Sequence, residues 1–204
     1  MKQMSYFEKI QNRIESLLDG DLFVISDFLD VADETTVRKT LSRLEKKGKI
    51  HRIMRGIYEK PEFNDFLNEY VKPHPDKIAK TFARNYGWTI VPCGDTALNL
   101  LGLSTQVPAV WLYVSDGRYQ RYTYDNVVIK FKRTTNKEIS KLSYKTALVI
   151  QALKALGKEN VSEEIVSKIA SLVTRDEKRV MFVEAKYATT WIYDVIKVIC
   201  GSEK

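Results

Sequence analysis

Residues 33–58 place a helix start, an amphipathic period, a glycine stop and a ribbon signal in immediate succession, and that order constrains the fold more than any other stretch of the chain. Asp33 is an N-cap residue type. Val37, Leu41 and Leu44 recur at helical spacing, and Gly48 stops the helix after about Lys47. At 100° per residue those three apolar side chains cluster on one face, while Thr35, Thr36, Lys39, Ser42, Arg43 and Lys46 fall on the other. Residues 49–53 and 56–58 then read as two short strands around Met54 and Arg55, a hairpin with Arg55 near its tip.

The same stretch gathers the charge of the molecule. Between Thr35 and Tyr58 stand eight cations (Arg38, Lys39, Arg43, Lys46, Lys47, Lys49, Arg52 and Arg55) against one carboxylate, Glu45, a surplus of +7. That equals the formal net charge of the whole 204-residue chain, because residues 1–34 sum to −5 and residues 59–204 to +5. A concentrated positive field of this kind favours a polyanionic partner, nucleic acid above all.

Upstream, Met4, Phe7, Ile10, Ile14, Leu17 and Leu18 mark an amphipathic helix ended by Asp19 and Gly20. Phe23 to Ile25 reads as an extended link, and Ser26 as the cap of a brief second helix holding Phe28 and Leu29. Three helices followed by a β-ribbon is the order of a winged helix-turn-helix. In that arrangement the third helix enters the major groove and the wing reaches the flanking backbone or minor groove. Thr35, Thr36, Lys39, Ser42 and Arg43 are then expected to face the groove, and Arg38, Arg52 and Arg55 to hold phosphates. The competing reading of the same residues is a protein-docking module whose basic helix takes an acidic partner.

Beyond the ribbon, turn residues around Lys60-Pro61 and Lys72-Pro73-His74-Pro75 predict a linker. The expected division is therefore residues 1–60 and residues 61–204. The second part reads as α+β: a helix from Pro75 to Gly87, a strand over 88–91, a short helix with Ala97, Leu98, Leu100 and Leu101, and strands over 109–114, 121–124 and 126–131. From Ser143 onward the apolar period is helical to the end, which predicts a closing helical bundle.

The run Pro92-Cys93-Gly94-Asp95-Thr96-Ala97-Leu98-Asn99-Leu100-Leu101-Gly102-Leu103-Ser104-Thr105-Gln106-Val107-Pro108, followed by Ser115-Asp116-Gly117, resembles the AbiEi-like antitoxins of bacterial abortive-infection systems. Arg55-Gly56-Ile57-Tyr58 and Arg84-Asn85-Tyr86-Gly87-Trp88 belong to the same resemblance. The resemblance implies an N-terminal winged helix that represses its own operon at inverted repeats in double-stranded DNA. It also implies a C-terminal domain that counters a nucleotidyltransferase-like toxin, in a type IV system where no stable toxin–antitoxin complex is required.

No arrangement for catalysis stands out, and the chain is expected to be neither an enzyme nor a cofactor protein. Gly94 and Gly102 are too far apart for a phosphate loop and lack the lysine that would follow. Asp116 and Asp125 ahead of Lys130 and Lys132 imitate a nuclease pattern, but Val128 stands where a magnesium ion would need a carboxylate. The two cysteines, Cys93 and Cys200, and the two histidines, His51 and His74, lack metal-ligand spacing, so no metal site is expected. Cys93 is open to two readings, a small turn residue or a thiol activated by the helix that follows it. With no signal-peptide or membrane-span pattern, a cytoplasmic location is expected. Finally, Tyr113, Tyr119, Tyr122 and Tyr124 interleave with Arg118, Arg121, Lys130, Lys132 and Arg133. That mixture reads either as sheet packing or as a stacking and charge platform for single-stranded nucleic acid.

Overall fold

The computed structural model describes residues 4–134 and 139–201. It is a mixed α+β chain that divides into two compact units, Met1–Gly87 and Trp88–Lys204.

The first unit opens with α1 (Tyr6–Glu15), where Ser5 and Glu8 form a reciprocal capping box. Leu22–Val24 is a strand, β1, rather than a link, because Phe23 and its neighbours pair antiparallel with a later strand. The brief second helix is only a 3-10 turn, Ile25–Phe28. Ser26 does not cap it; the Asp27 carboxylate accepts from the Val24 N–H at 2.9 Å. The Leu29 and Val31 N–H groups bond three residues back, so the segment tightens instead of extending as an α-helix.

α2 (Glu34–Lys46) forms as its sequence pattern requires. Asp33 accepts from the Thr36 N–H at 3.0 Å, and Gly48 adopts φ +67, the left-handed conformation that ends the helix. Strands β2 (His51–Met54) and β3 (Ile57–Glu59) make the ribbon, with a register shift between Arg52 and Met54. β3 is the central strand of an antiparallel sheet ordered β1-β3-β2. Val37, Leu41 and Leu44 from α2 join Ile10, Ile14, Phe23, Phe28 and Ile50 in one core.

The expected division near Lys60 gives way to one after Gly87, since residues 61–87 pack into the first unit. The turn-rich passage is a hairpin of β4 (Phe63–Asn64) and β5 (Glu69–Tyr70), and α3 (Pro75–Tyr86) follows it. In the hairpin the Asn64 side chain accepts from the Phe66 and Leu67 N–H groups. α3 packs against β1. Lys77 Nζ donates to the Gly20 carbonyl at 2.7 Å, and Arg84 forms an ion pair with Asp27. Lys60 Nζ caps the end of α1, donating to the Glu15 and Leu17 carbonyls at 3.0 and 2.7 Å. A turn signal marks a change of direction, and here the chain turns back onto the sheet it has just left.

The second unit contains β6 (Ile90–Pro92), α4 (Asp95–Leu100), β7 (Val110–Ser115), β8 (Gln120–Tyr124) and β9 (Val127–Arg133), followed by α5 (Tyr144–Leu156), α6 (Glu163–Ser171), α7 (Arg175–Glu184) and α8 (Thr190–Ile199). The sheet order is β6-β7-β9-β8, so β9 inserts parallel to β7 and leaves β8 on the edge. α4 packs on β6 and β7, and α5 packs on β6. The C-terminal region is helical, as the apolar period predicts, with Ser143, Ser162 and Thr174 capping α5, α6 and α7. Gly117 is held to glycine by packing: a Cβ there would lie 2.1 Å from Cδ2 of the Trp88 indole. Among the described residues, no helix is long and apolar enough to cross a membrane.

Candidate functional site

The eight residues singled out from the sequence all lie in the first unit, on α2 and on the β2–β3 ribbon. The N-cap at Asp33 and the buried row Val37, Leu41 and Leu44 fix the rotation of α2, so the remaining faces of the helix point outward. Thr35, Arg38, Lys39, Ser42 and Arg43 are exposed there, together with Lys46. Arg52 and Arg55 are exposed on the ribbon.

Two of the eight differ from the rest. Thr36 is half-buried and already engaged, because its hydroxyl donates to Asp33 Oδ2 at 2.7 Å. Helical geometry explains this: Thr36 stands four residues, a net rotation of about 40°, from the buried Thr40. The same hydroxyl, with the backbone N–H, holds the Asp33 carboxyl below its ordinary range. Arg38 is paired one turn back with Glu34, its Nε 2.9 Å from the carboxylate oxygen. Its charge is thus partly neutralised, although the pair is exposed and can exchange its carboxylate for another anion at small cost.

Lys39, Arg43, Arg52 and Arg55 form no ion pair with any described residue. Lys47, from the same charge run, lies 5.1 Å from the centroid of the Phe7 ring. The site therefore holds a set of uncompensated cations on one helix and one ribbon, with the hydroxyls of Thr35 and Ser42 among them. Such an arrangement can hold an extended polyanion and donate hydrogen bonds to it.

At the end of the ribbon stands a group that the sequence did not single out. Glu59, at the end of β3, is 3% exposed, and its Oε1 has no hydrogen-bond partner among the described residues. Burial pushes its carboxyl up to about 7, with Lys77 pulling it down and Glu62 pushing it further up. The preceding Ile57 and Tyr58 are also buried, and a charged residue ending such a run was the available signal.

The other sequence candidates lie in the second unit. Cys93 is buried, and that burial pushes its thiol up to about 11, which removes the activated-thiol reading. Asp116 accepts from the Thr89 N–H at 2.8 Å and from the Ser140 hydroxyl at 3.4 Å, while Asp125 occupies the β8–β9 turn with φ +49.

The interleaved tyrosines and cations do not form one platform. Tyr113 is fully buried, and its ring lies 5.8 Å from that of Phe131, which in turn meets Tyr122 at 6.3 Å and Trp88 at 5.9 Å. Arg121 alternates with Tyr122 along β8, and Lys130 and Lys132 alternate with Phe131 along β9, so these three cations share the opposite face, while Arg133 falls on the side of Phe131.

Residues 9–181 match the model of DUF6088, described as a family of unknown function. No curated protein matches the chain.

Proposed function

We propose that this chain, which belongs to the DUF6088 family, is a DNA-binding transcriptional regulator whose first unit works as a winged helix-turn-helix. The observation that carries this reading is the uncompensated cation set on α2 and the adjoining ribbon: Lys39, Arg43, Arg52 and Arg55, exposed and without carboxylate partners among the described residues. In this reading the 3-10 turn and α2 form the helix-turn-helix, and β2–β3 is the wing. α2 enters the major groove with Thr35, Lys39, Ser42 and Arg43 toward base edges. Thr36 contributes at the margin of that face, through its cap. Arg38, Arg52 and Arg55 take phosphates, Arg38 by exchanging Glu34 for the backbone anion.

The resemblance of residues 92–108 to AbiEi-like antitoxins extends the proposal. The chain would then repress its own operon in the cytoplasm and counter a nucleotidyltransferase-like toxin, as a binder and not as a catalyst. Exposed hydroxyls and cations on one helix support the DNA contact, whereas the toxin pairing rests on sequence resemblance.

A gel shift with the DNA upstream of the protein's own reading frame tests the first part. Specific retardation of that fragment over a scrambled duplex is expected, and equal affinity for both removes the regulator. For the second part, the chain is co-expressed with a neighbouring nucleotidyltransferase-like reading frame. Restored growth is expected, and unrelieved toxicity removes the antitoxin role.

A further inference from the structure

The second unit carries its own cationic strip, and its geometry suits the backbone of a duplex. In the β8–β9 ladder Arg121 stands directly opposite Lys130, and Lys132 follows two residues along on the same face. Arg121 and Lys132 are exposed, Lys130 is half-buried, and Thr123 adds an exposed hydroxyl to that face. None of the three cations is ion-paired with a described residue. Like charges placed directly across a strand pair repel and oppose sheet formation. A bound anion turns that repulsion into attraction.

The strip also defines which anion it can take. Single-stranded nucleic acid is held by aromatic stacking as well as charge, and here the nearby rings of Tyr113, Tyr122, Phe131 and Trp88 pack together on the other face of the sheet. On the cationic face this strand pair carries the three cations and the Thr123 hydroxyl beside Val128, with no aromatic ring among them. Lys130 and Lys132 are separated along the strand by about 6.6 Å, a spacing that lets each take a different phosphate of one continuous backbone.

We propose that Arg121, Lys130 and Lys132 form a second phosphate-contact surface for double-stranded DNA, distinct from α2 and its ribbon. The inference rests on the reading of the chain as a duplex binder. It adds that sequence-independent affinity comes from both units.

The test titrates the full-length protein with a fluorescently labelled duplex of its own upstream region over a series of salt concentrations. The variants are the triple Arg121→Gln/Lys130→Gln/Lys132→Gln, its charge-conserving counterpart Arg121→Lys/Lys130→Arg/Lys132→Arg, and the double Lys39→Ala/Arg43→Ala. The neutral triple should bind about tenfold weaker or worse at low salt, with the slope of log K against log salt shallower by about 2 to 3. The charge-conserving triple should keep both affinity and slope, which separates lost charge from lost folding.

An unchanged slope in the neutral triple overturns the strip, as does equal loss in the charge-conserving triple. Tighter binding of the wild type to single-stranded RNA of the same length overturns the duplex assignment. If Lys39→Ala/Arg43→Ala weakens binding while the neutral triple does not, the strip alone fails. If the wild type binds no duplex, both readings fail together.

Discussion

Hydroxyls and cations are interleaved along α2, and aromatic residues and cations are interleaved along β8 and β9, yet the two regions present their side chains in different ways. On α2 the helical period brings Thr35, Lys39, Ser42 and Arg43 to the outside, since the buried row Val37, Leu41 and Leu44 takes the inside. On the sheet the period of two sends neighbours to opposite faces, and so Tyr122 joins an aromatic cluster while Arg121 faces away from it. Mixed composition in a run becomes a mixed surface only when the backbone period returns both residue types to one side.

The sharpest way to break this comparison is to truncate tyrosines of the second unit. Tyr113→Ala should cost about 3–5 kcal/mol of stability, as for other buried aromatics, whereas Tyr119→Ala, 61% exposed in the same run, should change it by about 0.5 kcal/mol or less. Urea unfolding of both variants reads the difference, and equal effects would place the two rings in the same environment.

In the first unit the test is electrostatic. Glu59 ionises near its ordinary 4.5 when unfolded but near 7 in the fold. Its contribution to stability is therefore fully present below about pH 4.5, falls as pH rises to about 7 and stays at its lowest beyond that. Glu59→Gln should raise stability at pH 8 by up to about 3 kcal/mol and leave it unchanged below pH 4.5. Denaturation midpoints across that pH range check the sign, and a loss of stability at pH 8 would mean the carboxylate is paired.

Smaller effects distinguish positions within the helix and ribbon. Lys39→Ala and Arg43→Ala should each weaken upstream-DNA binding by about 1–3 kcal/mol and relax discrimination between sequences. Arg52→Ala and Arg55→Ala should weaken binding to all duplexes alike and each reduce the salt slope by about 1. Arg38→Ala should have the smallest effect, because Glu34 already competes for its guanidinium. Fluorescence anisotropy on matched and scrambled duplexes measures all five, and an Arg38 effect as large as that of Arg52 would remove the role given to the Glu34 pair.

Much of the first unit was legible in the chain because its signals are local. Asp33, Gly48 and the Val37-Leu41-Leu44 row define α2 within a few residues of where it begins and ends. The strand identity of Leu22–Val24 was not legible, since its partner β3 lies more than thirty residues further on, and three buried residues in a row carry no alternation. The extent of the unit escaped for a similar reason: the contacts that retain α3, Lys77 with Gly20 and Arg84 with Asp27, are each 57 residues apart in sequence.

Periodicity and caps, which act over one or two turns, establish from the residues alone that the chain is α+β, that a basic helix and ribbon lie near its beginning, and that it closes in helices. Strand register and burial depend on contacts between distant residues. For that reason the folded chain was needed to place Arg121 opposite Lys130, to enclose Glu59 with its Oε1 unpartnered among the described residues, and to separate the tyrosines of β8 from their cationic neighbours.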